Sequence, residues 1–291
     1  MSGKPCEVPG QIPGGNPADA PARVHPSAVV GREVELAAGV EIGPLCLLDG
    51  PIRIGAGTRL IGHVTILGDT QLGTHNVLHP NVVIGDEPQD LTYSGAPRAV
   101  RIGNRNVFRE GVTVHRGCER GEVTIIGDRN FLMSNSHVAH DCRVGNSAIL
   151  ANGALLGGWV EVGDLAFISG NCVVHQYCRV GRLAMMRGGS RTSRDIPPFC
   201  IADYLHTLRG INVVGLRRAG FKSAAIMALR KAYRGLFGER RNLKLAIEEL
   251  VSQGDVTPEV AELIGFIRTS KRGVAFGLAR GGSAETDDSG E

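Results

Sequence analysis

Aliphatic residues recur at every sixth position over most of the first two thirds of the chain. The series runs Val30, Leu36, Ile42, Leu48, Ile54, Leu60, Ile66, Leu72, Leu78 and Ile84, resumes at Ile102, Phe108 and Val114, and runs again from Ile126 to Met186. In a chain that is 42% hydrophobic, so long an unbroken set of apolar positions arises by chance about once in a billion sequences. A period of six fits neither a 3.6-residue helix nor alternating hairpin strands. It fits a short strand and a tight turn, repeated, with one aliphatic side chain per unit pointing into a narrow core. Three units make a triangular coil, and coils stack at the strand spacing of roughly 4.8 Å. The expected fold is therefore mainly β: a parallel β-helix of about eight coils. Glycine follows the aliphatic residue in many units, as at Gly43, Gly55, Gly103, Gly127 and Gly145, and is expected to serve corners with unusual φ.

The period breaks twice. Residues 86–101 and 116–125 read as loops ejected from the coil, and long excursions on a repeat scaffold commonly carry function. Residues 1–23 are Pro-rich and read as a disordered segment, leaving the β-helix at 24–196. After Pro197-Pro198 the pattern becomes helical, giving a C-terminal helical domain over 197–278 and a disordered tail over 279–291. Asn212, Ser223 and Thr257-Pro258 are the expected helix starts. Arg217, Arg218, Lys222, Arg230, Lys231 and Arg234 give the first two of these helices a basic surface.

Composition narrows the class. Glycine supplies 41 of 291 residues without a three-residue period, which excludes collagen. No run of 18 apolar residues exists, so no transmembrane segment is expected. Seven cysteines without a Cys-x-x-Cys pair read as reduced thiols, and the expected location is the cytoplasm. A net charge of +3 gives no reason to expect nucleic acid.

The candidate chemistry lies in HVAHDC, His137 to Cys142. His140 next to Asp141 is the pairing needed to deprotonate a hydroxyl near neutral pH, the carboxylate orienting the ring. His115, His140 and His175 are expected on one side of the prism, with His137 at its edge. Gly158 lies one 18-residue coil beyond His140, where its backbone N–H could meet an oxyanion. His25, His63, His75 and His79 read as structural turn residues. Several histidines on one face could instead bind zinc, but nothing in the spacing supplies a closed ligand set, so no metal and no cofactor are expected.

The hexapeptide ladder, HVAHDCRVGN, VVHQYCRVG, the DIPPF break and GINVVGLRRAGF followed by helices resemble the UDP-N-acetylglucosamine O-acyltransferases of lipid A synthesis, over roughly residues 24–275. The resemblance implies a left-handed β-helix, a homotrimer with active sites between subunits, and 3-hydroxyacyl transfer from acyl carrier protein to the 3-hydroxyl of UDP-N-acetylglucosamine. It implies that His140 is the base, Asp141 its orienting partner and Gly158 the oxyanion donor. His137 and His175 would line the site, Asp90 would bind the sugar, and Gly188 would limit acyl length. His206, Asn212 and Arg218 would make nucleotide- or carrier-side contacts. Thr92, Trp159, Val214 and Ala219 stand where this family usually carries Lys, His, Glu and a second basic residue. These departures leave another nucleotide sugar or acyl donor, or binding without catalysis, as the alternative.

Overall fold

The computed structural model describes residues 20–118, 123–238, 242–254 and 256–277. The expected disordered segments at 1–23 and 279–291 thus lie almost wholly outside the described residues. Strands of two to five residues build a left-handed parallel β-helix with three faces, of twelve, nine and eight strands. The ladder side chains pair in register from coil to coil: Leu132, Leu150 and Ile168 on the first face, Val138, Leu156 and Val174 on the second, Val144 and Val162 on the third. All are buried, and so are the smaller residues two places before them, such as Cys142, Ala148, Ala154 and Val160, so each rung sends two side chains into the core.

The two excursions leave the pairing of the ladder residues intact, although a bulge after Ile84 sets Asp86 opposite His115. Leu78 pairs with Phe108 and Ile84 with Val114 across the first; Phe108 pairs with Leu132 and Val114 with Val138 across the second. Strands reach further into both excursions than the six-residue period does. They span Val83–Asp86, Ala99–Ile102, Thr113–His115 and Val123–Ile126, so the described residues outside strands are 87–98 and 116–118.

The corners differ from expectation. The third residue after the ladder aliphatic takes the left-handed conformation, and it is seldom glycine: Leu45, His63, Asn81, Arg105, Asp141, Trp159 and Tyr177 all have φ between 52° and 64°. Of the glycines that directly follow a ladder residue, only Gly85 has positive φ, at 82°. The others are small because coils stack on them. A Cβ on Gly55 would sit 2.6 Å from the Gly73 carbonyl carbon, and one on Gly127 would sit 2.7 Å from the Gly145 oxygen. Close approach, not backbone freedom, selects glycine there.

The buried asparagines inside the coil form a ladder of their own. Asn76, Asn106 and Asn130 are fully buried, and each side-chain oxygen accepts the backbone N–H of the next coil, ending at Ala148. Six cysteines, including Cys118 and Cys142, are buried free thiols.

The region after Pro198 is not purely helical. Cys200–Asp203 adds a parallel strand beside Met185–Met186, then turns into an antiparallel hairpin with Thr207–Ile211. Phe276–Gly277 returns to pair with Thr207 and Leu208. The residues broke the six-residue period without leaving the sheet. Between these strands lie helices α1 (Val213–Arg218), α2 (Ser223–Phe237), α3 (Leu243–Ser252) and α4 (Pro258–Arg268). Asn212 caps α1 by accepting the Gly215 N–H, and Thr257 caps α4 with Pro258 at its first position. Ser223 is the first residue of α2 rather than its cap; Lys222 holds that place without a side-chain bond. Helix α2 buries Ile226, Leu229, Ala232 and Leu236.

Candidate active site

Four successive coils of the second face and the corner beyond it assemble the site. Along the strands, Thr113, His137, Leu155 and Val173 stand one above another and point outward. His137 therefore lies in the face itself, in the strand His137–Val138, and not at the edge as its spacing implied. His115 and His175 each directly follow a ladder residue, whereas His140 lies one residue further along, at the corner. The expected alignment of His115, His140 and His175 is thus offset by one position.

His140 Nδ1 is 2.8 Å from Asp141 Oδ2, and both residues are buried. Asp141 is fixed in turn: its Oδ2 accepts the Cys118 N–H at 3.0 Å, and its own N–H donates to Thr124 Oγ1 at 2.8 Å. Burial pushes the Asp141 carboxyl up, but the hydrogen bonds from His140 and Cys118 outweigh it and hold the group below its ordinary value. A charged carboxylate on Nδ1 fixes the tautomer with its proton there, leaving the Nε2 lone pair free to accept another.

Gly158 lies directly beneath that ring. A Cβ there would come within 2.5 Å of His140 Cε1 and 2.7 Å of Nε2, so only glycine admits the imidazole in this position. Trp159 meets His140 edge to face, with centroids 4.5 Å apart, and stacks on Tyr177 at 4.6 Å and 13°. Asp141, Trp159 and Tyr177 occupy the same left-handed corner of consecutive coils, which is why their side chains form one column. The aromatic column was readable from the 18-residue step between Trp159 and Tyr177. It replaces the polar contact that the resemblance led one to expect at residue 159.

Described residues of both excursions, Asp90 and Cys118 among them, meet at this corner. Asp90 brings Oδ2 to 3.9 Å from His140 Nε2, while its Oδ1 accepts from the Thr92 N–H and hydroxyl at 2.9 and 2.8 Å. Thr92 thus anchors the Asp90 carboxylate instead of supplying a cation. Arg116 ties the first excursion down through the Gly85 carbonyl, the Tyr93 hydroxyl and Glu87. Neither Arg116 nor Cys118 was identifiable as part of the site, because loop closure is not encoded in the repeat.

The remaining candidates separate into two groups. His137 donates to or accepts from Thr113 Oγ1 at 2.7 Å and meets the His115 ring edge to face. Burial, followed by His115 and His140, pulls His137 down to about 4, so it is neutral at pH 7. His175 is exposed and receives Arg272, a residue beyond α4, at 3.2 Å from its Nδ1. Toward the C-terminal end, Gly188 is exposed with open space around it. His206 Nδ1 accepts the Ser193 N–H, and Arg218 is exposed in the last turn of α1. The Asn212 amide is committed to the fold, bridging Leu183 and Gly215. Val214 is exposed on α1 and Ala219 forms its C-cap, so the two departures there leave surface positions uncharged.

Stacked six-residue rungs carrying a buried His–Asp pair at a corner define a hexapeptide-repeat transferase, and the family described as bacterial transferase hexapeptide (six repeats) matches residues 124–158. The family described as UDP N-acetylglucosamine O-acyltransferase, domain 2, matches residues 195–275. The chain is 47% identical over 253 residues to the acyl-[acyl-carrier-protein]–UDP-N-acetylglucosamine O-acyltransferase of Thermodesulfovibrio yellowstonii, across 86% of this chain and 98% of that one. It superposes on the UDP-N-acetylglucosamine acyltransferase of Francisella novicida with a TM-score of 0.84 at 33% identity, covering 88% and 95% of the two chains. The Bacteroides fragilis enzyme gives 0.82 at 36% identity, over 86% and 99%. The chain belongs to the UDP-N-acetylglucosamine O-acyltransferase family.

Proposed function

We propose that this protein moves a (3R)-3-hydroxyacyl chain from acyl carrier protein to the 3-hydroxyl of UDP-N-acetylglucosamine, the first step of lipid A synthesis. The observation that carries the mechanism is the His140–Asp141 contact of 2.8 Å with Gly158 packed under the ring. His140 Nε2 takes the sugar hydroxyl proton as the oxygen attacks the thioester carbonyl. The Gly158 N–H faces the developing oxyanion. Collapse of the tetrahedral adduct breaks the C–S bond, and the protonated His140 returns its proton to the departing thiolate. Asp141 holds the imidazole in place between these steps.

Asp90 binds the sugar, a role supported by its Oδ2 lying 3.9 Å from His140 Nε2. His137, neutral and hydrogen-bonded to Thr113, and His175 flank the path of the acyl donor. Gly188, His206, Asn212 and Arg218 belong to the end of the coil where the acyl tail and the carrier or nucleotide would lie. The active form is a homotrimer in the cytoplasm, because one face with two loops is half a cleft. Among the described residues no helix is long and apolar enough to cross a membrane.

Incubation with UDP-N-acetylglucosamine and a series of 3-hydroxyacyl carrier proteins, read by product mass, tests the reaction. His140→Ala should lower kcat by at least about 100-fold with trimer and nucleotide affinity retained. Near-normal turnover by a folded His140→Ala trimer would place the base elsewhere. Trp159 and Thr92 favour one variation on this reading, a different nucleotide sugar, since both change the walls beside Asp90 and His140. Firm nucleotide binding with no turnover on any donor would favour binding without catalysis.

A further inference from the structure

The two excursions do more than cover His140: each brings one metal-ligating atom to it. A carboxylate oxygen of Asp90, the Cys118 sulfur and an imidazole nitrogen of His140 all lie within 4.8 Å of one another. Nδ1 of His140 is taken by Asp141, so Nε2 is the nitrogen that faces Asp90, at 3.9 Å. A tetrahedral zinc ion with bonds of about 2.0–2.3 Å needs donors roughly 3.3–3.8 Å apart, so a small shift of the Asp90 and Cys118 side chains toward His140 completes three corners.

Independent features of the site favour a cation. The Asp141 carboxylate is buried behind the His140 ring, held charged by His140 and by the Cys118 backbone and side chain, and among the described residues its Oδ1 accepts no hydrogen bond. The neighbouring guanidinium, Arg116, points to Glu87, Gly85 and Tyr93 instead. A carboxylate hydrogen-bonded to the far nitrogen of a ligating imidazole is the outer-shell arrangement that fixes zinc ligands. A thiolate, imidazole and carboxylate together select zinc or cobalt over magnesium or calcium.

We propose that Asp90, Cys118 and His140 form a reversible inhibitory site for zinc(II). Binding exchanges the Cys118 thiol proton for the metal and occupies the Nε2 lone pair, which then cannot accept the hydroxyl proton. The inhibitory half rests on His140 being the base; the binding half does not. The ion also removes Asp90 from the sugar, so inhibition is competitive with the nucleotide sugar.

The test uses the full chain, reduced and stripped with a chelator, and titrated with Co²⁺ alone. A thiolate-to-cobalt charge-transfer band should grow to one equivalent per chain and be displaced by Zn²⁺ but not by Mg²⁺. Cys118→Ser should abolish the band and weaken zinc binding by at least about tenfold; Asp90→Asn should weaken binding while keeping the band. Zinc should inhibit turnover at the same stoichiometry, with recovery on chelation. Absence of the band, or zinc binding unchanged in Cys118→Ser, overturns the site. Binding that leaves the rate unchanged or raises it overturns the inhibition. An inactive metal-free enzyme that still shows the cobalt band tells against the acyltransferase reading, and not against the metal site.

Discussion

An imidazole serves as a base only while its second nitrogen is held as a donor and its ring cannot swing. Asp141 meets the first condition, and Gly158 with Trp159 meets the second. Gly158→Ala forces a methyl group to within 2.5 Å of His140, so the ring must move. A displacement near 1 Å can cost about 100-fold in rate, and kcat of the variant should fall on that order while the trimer persists. Gly188→Ala is the contrast: its Cβ would meet only the Gly170 oxygen, at 3.7 Å, so the fold should be unaffected. Trp159→Ala removes one edge-to-face aromatic contact, of about 0.5–1.5 kcal/mol, and should slow kcat by about 2- to 10-fold with Trp159→Phe restoring part of it. His137 sets a pH dependence of stability. Its value is about 4 folded against 6.5 in the unfolded chain, so between these the unfolded chain binds more protons. Stability should fall as pH drops through that window, and His137→Gln should flatten the fall. Urea midpoints at about pH 7 and pH 5 measure it.

At the scale of the elements, the coil is held by aliphatic ladders and by an internal asparagine ladder that no hydrophobic pattern reveals. Asn106→Ala would leave the buried Asn130 N–H without its acceptor, at a cost of about 1–3 kcal/mol besides the void. Chemical denaturation checks this; an unchanged midpoint would mean that the ladder does not stabilise the coil. The aliphatic ladder was legible because each rung repeats one physical requirement, an inward apolar side chain, at a fixed step. His140, Asp141 and Gly158 were legible because their separation is a fraction or a whole number of coils. The hairpin from Cys200 to Ile211 was not, since the strands there pair outside the six-residue period after Pro197 and Pro198. Glycine was misread for a similar reason: sequence shows that a small residue follows the aliphatic, but only stacked coils show what it avoids. Cys118, Arg116 and Arg272 reach the site through loops and a returning C-terminal segment, and no local signal marks where those fold back. Helices α1 and α2 and the turn between them carry six exposed cations and no acidic residue from Val213 to Phe237. Charge reversal at Arg230 and Arg234 should raise KM for the acyl carrier at low salt with little change in kcat, an effect that should shrink as ionic strength rises.

At the scale of the whole molecule, the second face is incomplete as an isolated surface. Its outward rungs include Val29, Leu47, Leu155 and Val173, exposed by 62, 38, 41 and 44%. These apolar rungs lie at both ends of a strip that also holds Thr65, Val83, Thr113 and His137, and water would meet it in a monomer, on the face that carries the candidate base. Such a strip on a rigid prism is expected to be covered, and a ring of three prisms covers it on every copy with a single kind of contact. Light scattering at micromolar concentration should therefore give about three times the 30.8 kDa chain mass. Val29→Glu with Leu47→Glu places two charges in that strip, far from His140 along the coil axis. The double variant should dissociate on dilution and lose activity in step with the trimer fraction, while the monomer keeps its β-helical circular dichroism. Full activity in a dilute monomer would mean that one chain holds a whole site, and the wall opposite His137 would then have to come from its own excursions.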